Sequence, residues 1–126
     1  MSLKYRLIQK INPQKPTLPG KFYAHPVTKG EVTVRELARE IADISTVSIV
    51  DTIAVIESFI QLIPKHLAEA EIVRLGDFGS FSIKLTSEGA VQEDEFKASM
   101  IRNVKMSFRP GKELKNALKV VDFQKQ

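Results

Sequence analysis

The sequence predicts an α+β fold, and three observations carry that reading. Residues 33–67 repeat apolar side chains at alternating 3 and 4 spacing behind two helix-capping signatures. Residues 1–12, 80–85 and 104–109 alternate apolar with polar, and Gly76-Asp77-Phe78-Gly79 supplies a tight turn between strands. At 126 residues and 43% hydrophobic content, the chain suits one compact domain with an appended element.

In chain order, residues 1–12 place Leu3, Tyr5, Leu7 and Ile11 on one side of a strand and Lys4, Arg6 and Lys10 on the other. The Pro-rich passage Asn12 to Gly20 forbids regular pairing and reads as an ordered loop. Phe22 to Val27 returns as a second strand, so residues 1–30 form an N-terminal β extension and residues 31–126 the main domain. Thr33-x-x-Glu36 is a capping box opening a helix that buries Val34, Leu37, Ala38 and Ile41. Ser48-x-x-Asp51 opens a longer helix. Its apolar residues run at 4,3 spacing from Ile49 to Leu67, with Val50, Val55, Phe59 and Leu62 on neighbouring faces. That surface is too wide for a small monomer to cover and predicts a second chain. Pro64 removes an amide donor and predicts a kink or loosening near the helix end.

Ile72–Leu75 and Ser80–Leu85 read as strands about the Gly-Asp-Phe-Gly turn, with Phe81, Ile83 and Leu85 on one face and Ser82 and Lys84 on the other. Residues 86–103 form a flexible arm, and Val104, Met106 and Phe108 alternate with Lys105, Ser107 and Arg109 in the strand returning from it. Pro110 stands at the first turn of a last helix, which buries Leu114, Ala117, Leu118 and Val121 and carries Lys112, Lys115 and Lys119 on its other side.

The net charge of +4 hides a segregation. Residues 1–30 carry six Lys or Arg and no acid, and residues 101–126 carry seven against two, whereas 31–70 hold three against seven and 71–100 three against six. Basic ends about an acidic middle suggest a polyanion-binding surface. The chain has no Cys, so no disulfide, thiol nucleophile or cysteine metal site exists. The two histidines, His25 and His66, are read as ordinary surface residues and no metal or cofactor is expected. Neither a P-loop nor a dinucleotide fingerprint nor a nucleophile elbow is present, and Glu93-Asp94-Glu95 is a solvated acidic run with no apolar surroundings to separate its pKa values. The reading is therefore of a non-enzyme. No apolar run spans a membrane and the N-terminus lacks a signal-peptide core, which predicts a cytoplasmic protein.

Two blocks carry a resemblance: Arg74-Leu75-Gly76-Asp77-Phe78-Gly79-Ser80-Phe81-Ser82-Ile83, and Met106-Ser107-Phe108-Arg109-Pro110-Gly111-Lys112 leading into the last helix. Together with the two preceding helices, they make residues 33–121 resemble the HU/IHF family of histone-like bacterial DNA-binding proteins. The N-terminal extension, Gly-Asp-Phe-Gly and a proline-free arm resemble an extended subfamily of HU-like proteins. The resemblance implies a two-helix base, a three-stranded antiparallel sheet with a β-arm, a C-terminal helix and an added N-terminal β element. It also implies a homodimer that binds double-stranded DNA with little sequence preference, as an architectural protein of the nucleoid. By the same resemblance the DNA-contacting residues are Arg74, Lys84, Arg102, Lys105, Arg109, Lys112, Lys115 and Lys119. Here the chain departs from the commonest family pattern: Asp77 stands at the first glycine of Gly-Phe-Gly, and the arm lacks the Arg-Asn-Pro tip whose proline wedges between base steps. Arg102-Asn103 lies at the arm's base and is followed by Val104, while the tip is acidic. That acidic tip is what an alternative reading rests on, a dimeric protein-interaction module on the HU scaffold without strong DNA bending.

Overall fold

Thr33 and Ser48 each start a helix as a hydroxyl N-cap. The Thr33 side chain accepts from Glu36 N at 3.2 Å and the Ser48 side chain from Asp51 N at 3.1 Å, satisfying amides that the first turn leaves orphaned. A computed structural model describes residues 2–126 and shows an α+β chain in two units. One is formed by the chain up to Glu31 together with Asn116–Gln126, the other by Val32–Lys115.

In the second unit, α1 (Val34–Ile44) packs against α2 (Ile49–Leu67). Ala38 is wholly buried, with Val34 and Ala42 half-buried on the same stripe, so small side chains let the helices approach. Leu37 and Ile41, expected in the core, stay exposed within one chain. On α2 the covered side carries Ile49, Thr52, Ile53, Ile56, Ile63 and Leu67. Buried Thr52 satisfies its hydroxyl by donating to Ser48 O at 2.7 Å. The helix runs through Pro64 to Leu67 although Pro64 has no N–H to donate to the Ile60 carbonyl, and it ends within one turn of the proline. Beyond it Ala70 adopts φ 62° and Glu71 N donates back to His66 O at 3.2 Å. The His66 ring also meets the Glu71 carboxylate at 2.9 Å. That hydrogen bond, then the attraction of the ring, holds the Glu71 carboxyl below its ordinary range.

The sheet of this unit has the order β3 (Val73–Arg74), β4 (Gly79–Ser87), β5 (Ile101–Pro110), all antiparallel. β3 is shorter than the expected 72–75 strand because Leu75 already belongs to the turn, where Leu75 N donates to Gly79 O and Gly76–Phe78 form one 3-10 turn. α2 contacts both β3 and β4. Phe108 stacks with Phe81 at 4.8 Å and with Phe78 at 5.8 Å between ring centroids, both tilted, which ties the turn to the returning strand. The expected 86–103 arm is largely folded. Strands take its ends, a bulge falls at Thr86/Ser87, and residues 88–100 double back through 3-10 turns at Glu93–Glu95 and Ala98–Met100. Glu88 N donating to Met100 O at 2.9 Å closes its base.

The last helix, α3 (Lys112–Lys119), begins after Gly111 rather than at Pro110, which ends β5. Gly111 O accepts the first helical bond, from Lys115 N at 3.0 Å, and Gly111 N donates to Phe78 O at 2.8 Å. A Cβ at Gly111 would fall on the Asp77 carbonyl, so glycine is required where strand passes to helix. The helix covers less than expected: Leu114 is half-buried, Ala117 and Leu118 are exposed, and Val121 lies past its end. β-Branched Val120 and Val121 favour an extended chain there, and β6 (Asp122–Lys125) follows.

β6 completes the first unit. Its sheet has the order β2 (Lys21–Pro26), β1 (Ser2–Lys10), β6, with β1 central, antiparallel to β2 and parallel to β6. The N-terminal element is therefore a three-stranded sheet that takes in the last strand, not a hairpin alone. The Pro-rich loop is ordered by Asn12, which accepts from Lys15 N at its carbonyl and from Gln14 N at its side chain, both at 3.0 Å.

Candidate nucleic-acid interface

Directly paired residues on neighbouring strands share a face, so the register of β3, β4 and β5 decides where each cation stands. Arg74 pairs with Ser80 and Ser80 with Arg109, giving a row of Arg, Ser and Arg across the sheet. One step along lies Ser82 opposite Ser107, then Lys84 opposite Lys105, then Thr86 opposite Asn103. Val73, Phe81, Phe108, Ile83, Met106, Leu85 and Val104 take the other face. Four of the eight expected site residues, Arg74, Lys84, Lys105 and Arg109, are thus gathered on one exposed polar face. That face measures about 13 Å along β4 from Ser80 to Lys84 and about 10 Å across three strands. Ser80, Thr86 and Asn103 share it and are not singled out by the sequence. The signal that finds them is the same alternation by twos, which holds as far as the Thr86 and Asn103 pair, before the bulge.

Its electrostatics are one-sided. No Asp or Glu occurs in β3, β4 or β5. Among the described residues two ion pairs form, His66 with Glu71 and Arg102 with Glu88, and neither draws on the four face cations. Lys84 directly opposite Lys105 is a like-charge cross-strand pair, which destabilises an isolated sheet. An anion seated between them adds two attractions that outweigh that repulsion.

The other four residues sit elsewhere. Arg102 lies outside this face, at the bulged base of the arm, where its guanidinium is held by the Glu88 carboxylate. Lys112, Lys115 and Lys119 follow one exposed stripe of α3 at i, i+3 and i+7. Lys112 stands in the first turn, where the helix dipole disfavours a cation, so helix stability does not account for it. The arm tip bears Glu93, Asp94 and Glu95 in its first 3-10 turn, and Phe96 next to them is 40% exposed.

No group of His, Asp or Glu among the described residues is arranged to hold a metal, and no helix is long and apolar enough to cross a membrane. Comparison with known proteins adds three findings. The family model HU-HIG, described as an HU domain fused to wHTH, Ig, or glycine-rich motif, matches residues 1–125. The chain is similar to a crystal structure from Bacteroides vulgatus ATCC 8482, provisionally named a bacterial DNA binding protein. The TM-score is 0.69 at 16% identity, over 98% of this chain and 47% of that one. The likeness is one of fold, and this chain spans about half the length of that protein. No curated protein matches the chain.

Proposed function

Because this chain belongs to the HU-HIG family, whose members carry an HU domain joined to further motifs, we propose that it binds duplex DNA through the polar face of β3, β4 and β5. The observation that carries this is the face itself: Arg74, Lys84, Lys105 and Arg109 exposed together, without a carboxylate, with two lysines directly opposed. Lys112 and Lys115 add to it from α3. These side chains meet phosphates, so binding is tolerant of sequence and steep in salt. The name given to the Bacteroides vulgatus protein agrees with this reading.

The binding form is a homodimer. On α2, Val55, Phe59 and Leu62 form an apolar stripe at 4,3 spacing that one chain leaves bare, at 66%, 43% and 49% exposure. Leu37 and Ile41 on α1 are bare as well. A second copy is the partner that covers such faces symmetrically. As a dimer with two cationic sheets the protein is architectural and acts in the nucleoid. The acidic, proline-free arm favours weaker DNA bending than HU proteins with a wedging proline. Taken alone, it also favours the other reading, a dimeric protein-interaction module.

A salt-titrated anisotropy assay on a random duplex separates the two. Wild type is expected to bind with a steep log–log dependence on salt. Neutralising Lys105, Arg109 and Lys112 together should weaken binding alike on unrelated sequences and lower the slope by about 0.9 for each phosphate that no longer meets a cation. A triple variant that binds as wild type does removes this face from the interface, and no binding by wild type leaves the interaction module.

A further inference from the structure

The register of the first unit builds a second cationic face. Lys4, Arg6, Ile8 and Lys10 project from one side of β1, and the residues opposite on β2 put His25 beside Arg6, Tyr23 beside Ile8 and Lys21 beside Lys10. The other side holds Leu3, Tyr5, Leu7, Phe22, Ala24 and Pro26. Neither strand contains an acid. On the same face the Asp122 carboxylate of β6 stands opposite Ser2, about 7 Å along β1 from Lys4 and about 26 Å from Lys10. It therefore borders the Lys4 end and leaves the Lys10 end purely cationic. Lys10 and Lys21 repeat the like-charge opposition of Lys84 and Lys105.

At the Lys10 end this face opens into a cleft of about 610 Å³, lined by Lys10, Asn12, Lys15, Lys21 and Tyr23 together with the Pro-rich loop. The cleft is preformed. Gln9 Nε2 donates to Gly20 O at 3.2 Å, and Gly20 lies so close to the Lys10 carbonyl that a Cβ there would collide with it. Pro13, Pro16 and Pro19 stiffen the loop that carries Lys15.

We propose that this face and cleft form a second docking track for the sugar-phosphate backbone of duplex DNA. From Lys4 to Lys10 the cations extend about 20 Å along β1, longer than one phosphate or small anion and about six nucleotides of one strand at 3.4 Å each. The aromatic ring beside them does not offer a base-stacking platform. The Lys10 ammonium sits over the Tyr23 ring, 5.6 Å from its centroid. Phosphate binding on a duplex, rather than stacking of unpaired bases, is what the arrangement fits. The track is independent of the β3–β5 face, so either assignment can fail without the other.

The test uses the full chain. Lys10→Gln, Lys15→Gln and Lys21→Gln combined are compared with wild type and with the Lys105, Arg109 and Lys112 variant on a 30-base-pair random duplex and on a single strand of equal length, by anisotropy across salt. The N-terminal triple is expected to lower the duplex log–log slope by about 2 to 3 and the affinity at low salt by tenfold or more. The two triples combined should bind more weakly than either alone. Lys15→Glu, a loop residue without a packing role, should move duplex affinity the same way, and thermal melting followed by circular dichroism verifies that each variant is folded. A folded N-terminal triple with an unchanged slope overturns the proposal, whatever the sheet variant does. A larger loss on the single strand than on the duplex overturns it too, because the track would then serve unpaired bases. If the N-terminal triple lowers the slope and the sheet variant does not, the track stands and the β3–β5 assignment falls.

Discussion

At Gly79 the backbone takes φ 154°, and a Cβ placed there would meet Arg109 O and the Phe108 ring, each at 2.6 Å. Both the conformation and the space require glycine. Gly79→Ala is expected to cost about 2 to 4 kcal/mol in thermal or urea unfolding, through strain and displacement of the Phe108 stack. Gly89→Ala, where a Cβ meets nothing within 4 Å, is expected to stay within about 0.5 kcal/mol of wild type. A Gly79→Ala variant as stable as wild type would disprove the close approach. The need for Gly79 is legible in the Phe-Gly-Ser-Phe run, since a tight turn between strands asks for it. The need for Gly111 is not, because it arises from the carbonyl of Asp77, brought near by the fold. The same distinction applies to the cations. Alternation puts Arg74, Lys84, Lys105 and Arg109 on strand faces, but that they form one row and one opposed pair depends on the register between β4 and β5, which no local pattern contains.

Among the elements, the arm separates this chain most from proteins that grip DNA with basic, proline-tipped ribbons. Its tip doubles back in two 3-10 turns and presents Glu93, Asp94 and Glu95, a charge repelled by the minor groove. Replacing residues 88–97 with a short Gly link is therefore expected to leave duplex affinity within about tenfold, or roughly 1.4 kcal/mol. A hundredfold loss, or large bends in a fluorescence-transfer assay that vanish on Phe96→Ala, would show that the arm grips DNA with Phe96 as its wedge. The acidity of the arm can be read directly from its residues. Its folded tip cannot, because single 3-10 turns have no hydrophobic period to announce them. Helices α1 and α2 are legible for the opposite reason, each having a capping hydroxyl and an extended apolar period. Even so, periodicity alone does not tell which of their apolar residues one chain covers, since Ala38 and Ala42 bring the helices together and leave Leu37 and Ile41 outside.

For the whole molecule, the deciding quantity is how little one chain buries. Of its large apolar side chains only Leu67 is buried among the described residues, while Val55, Phe59, Leu62, Leu85 and Met106 remain exposed. A chain of this length with so small a core has little stability alone, so folding and association should be one event. Light scattering at micromolar concentration is expected to give twice the chain mass. Phe59→Asp, which would put an unpaired charge in the interface, should abolish assembly or folding. A wild-type chain that is folded and monomeric there would refute the dimer. The strand that completes the first sheet is the largest element the sequence does not disclose. Asp122 to Lys125 pairs with Ser2 to Tyr5 across nearly the full length of the chain, and four residues without strong alternation carry no mark of so distant a mate.

That pairing has a mechanical consequence. β1 and β6 run in the same direction, with Ser2 level with Asp122 and Tyr5 level with Lys125. Tension applied between Ser2 and Lys125 pulls the strands past one another along their length, so their hydrogen bonds share the load and must yield together. Tension that opens β1 from β2 at its free end peels that ladder one bond at a time. Loaded through residues 2 and 125, the first unit is held in shear by its backbone ladder rather than by buried side chains.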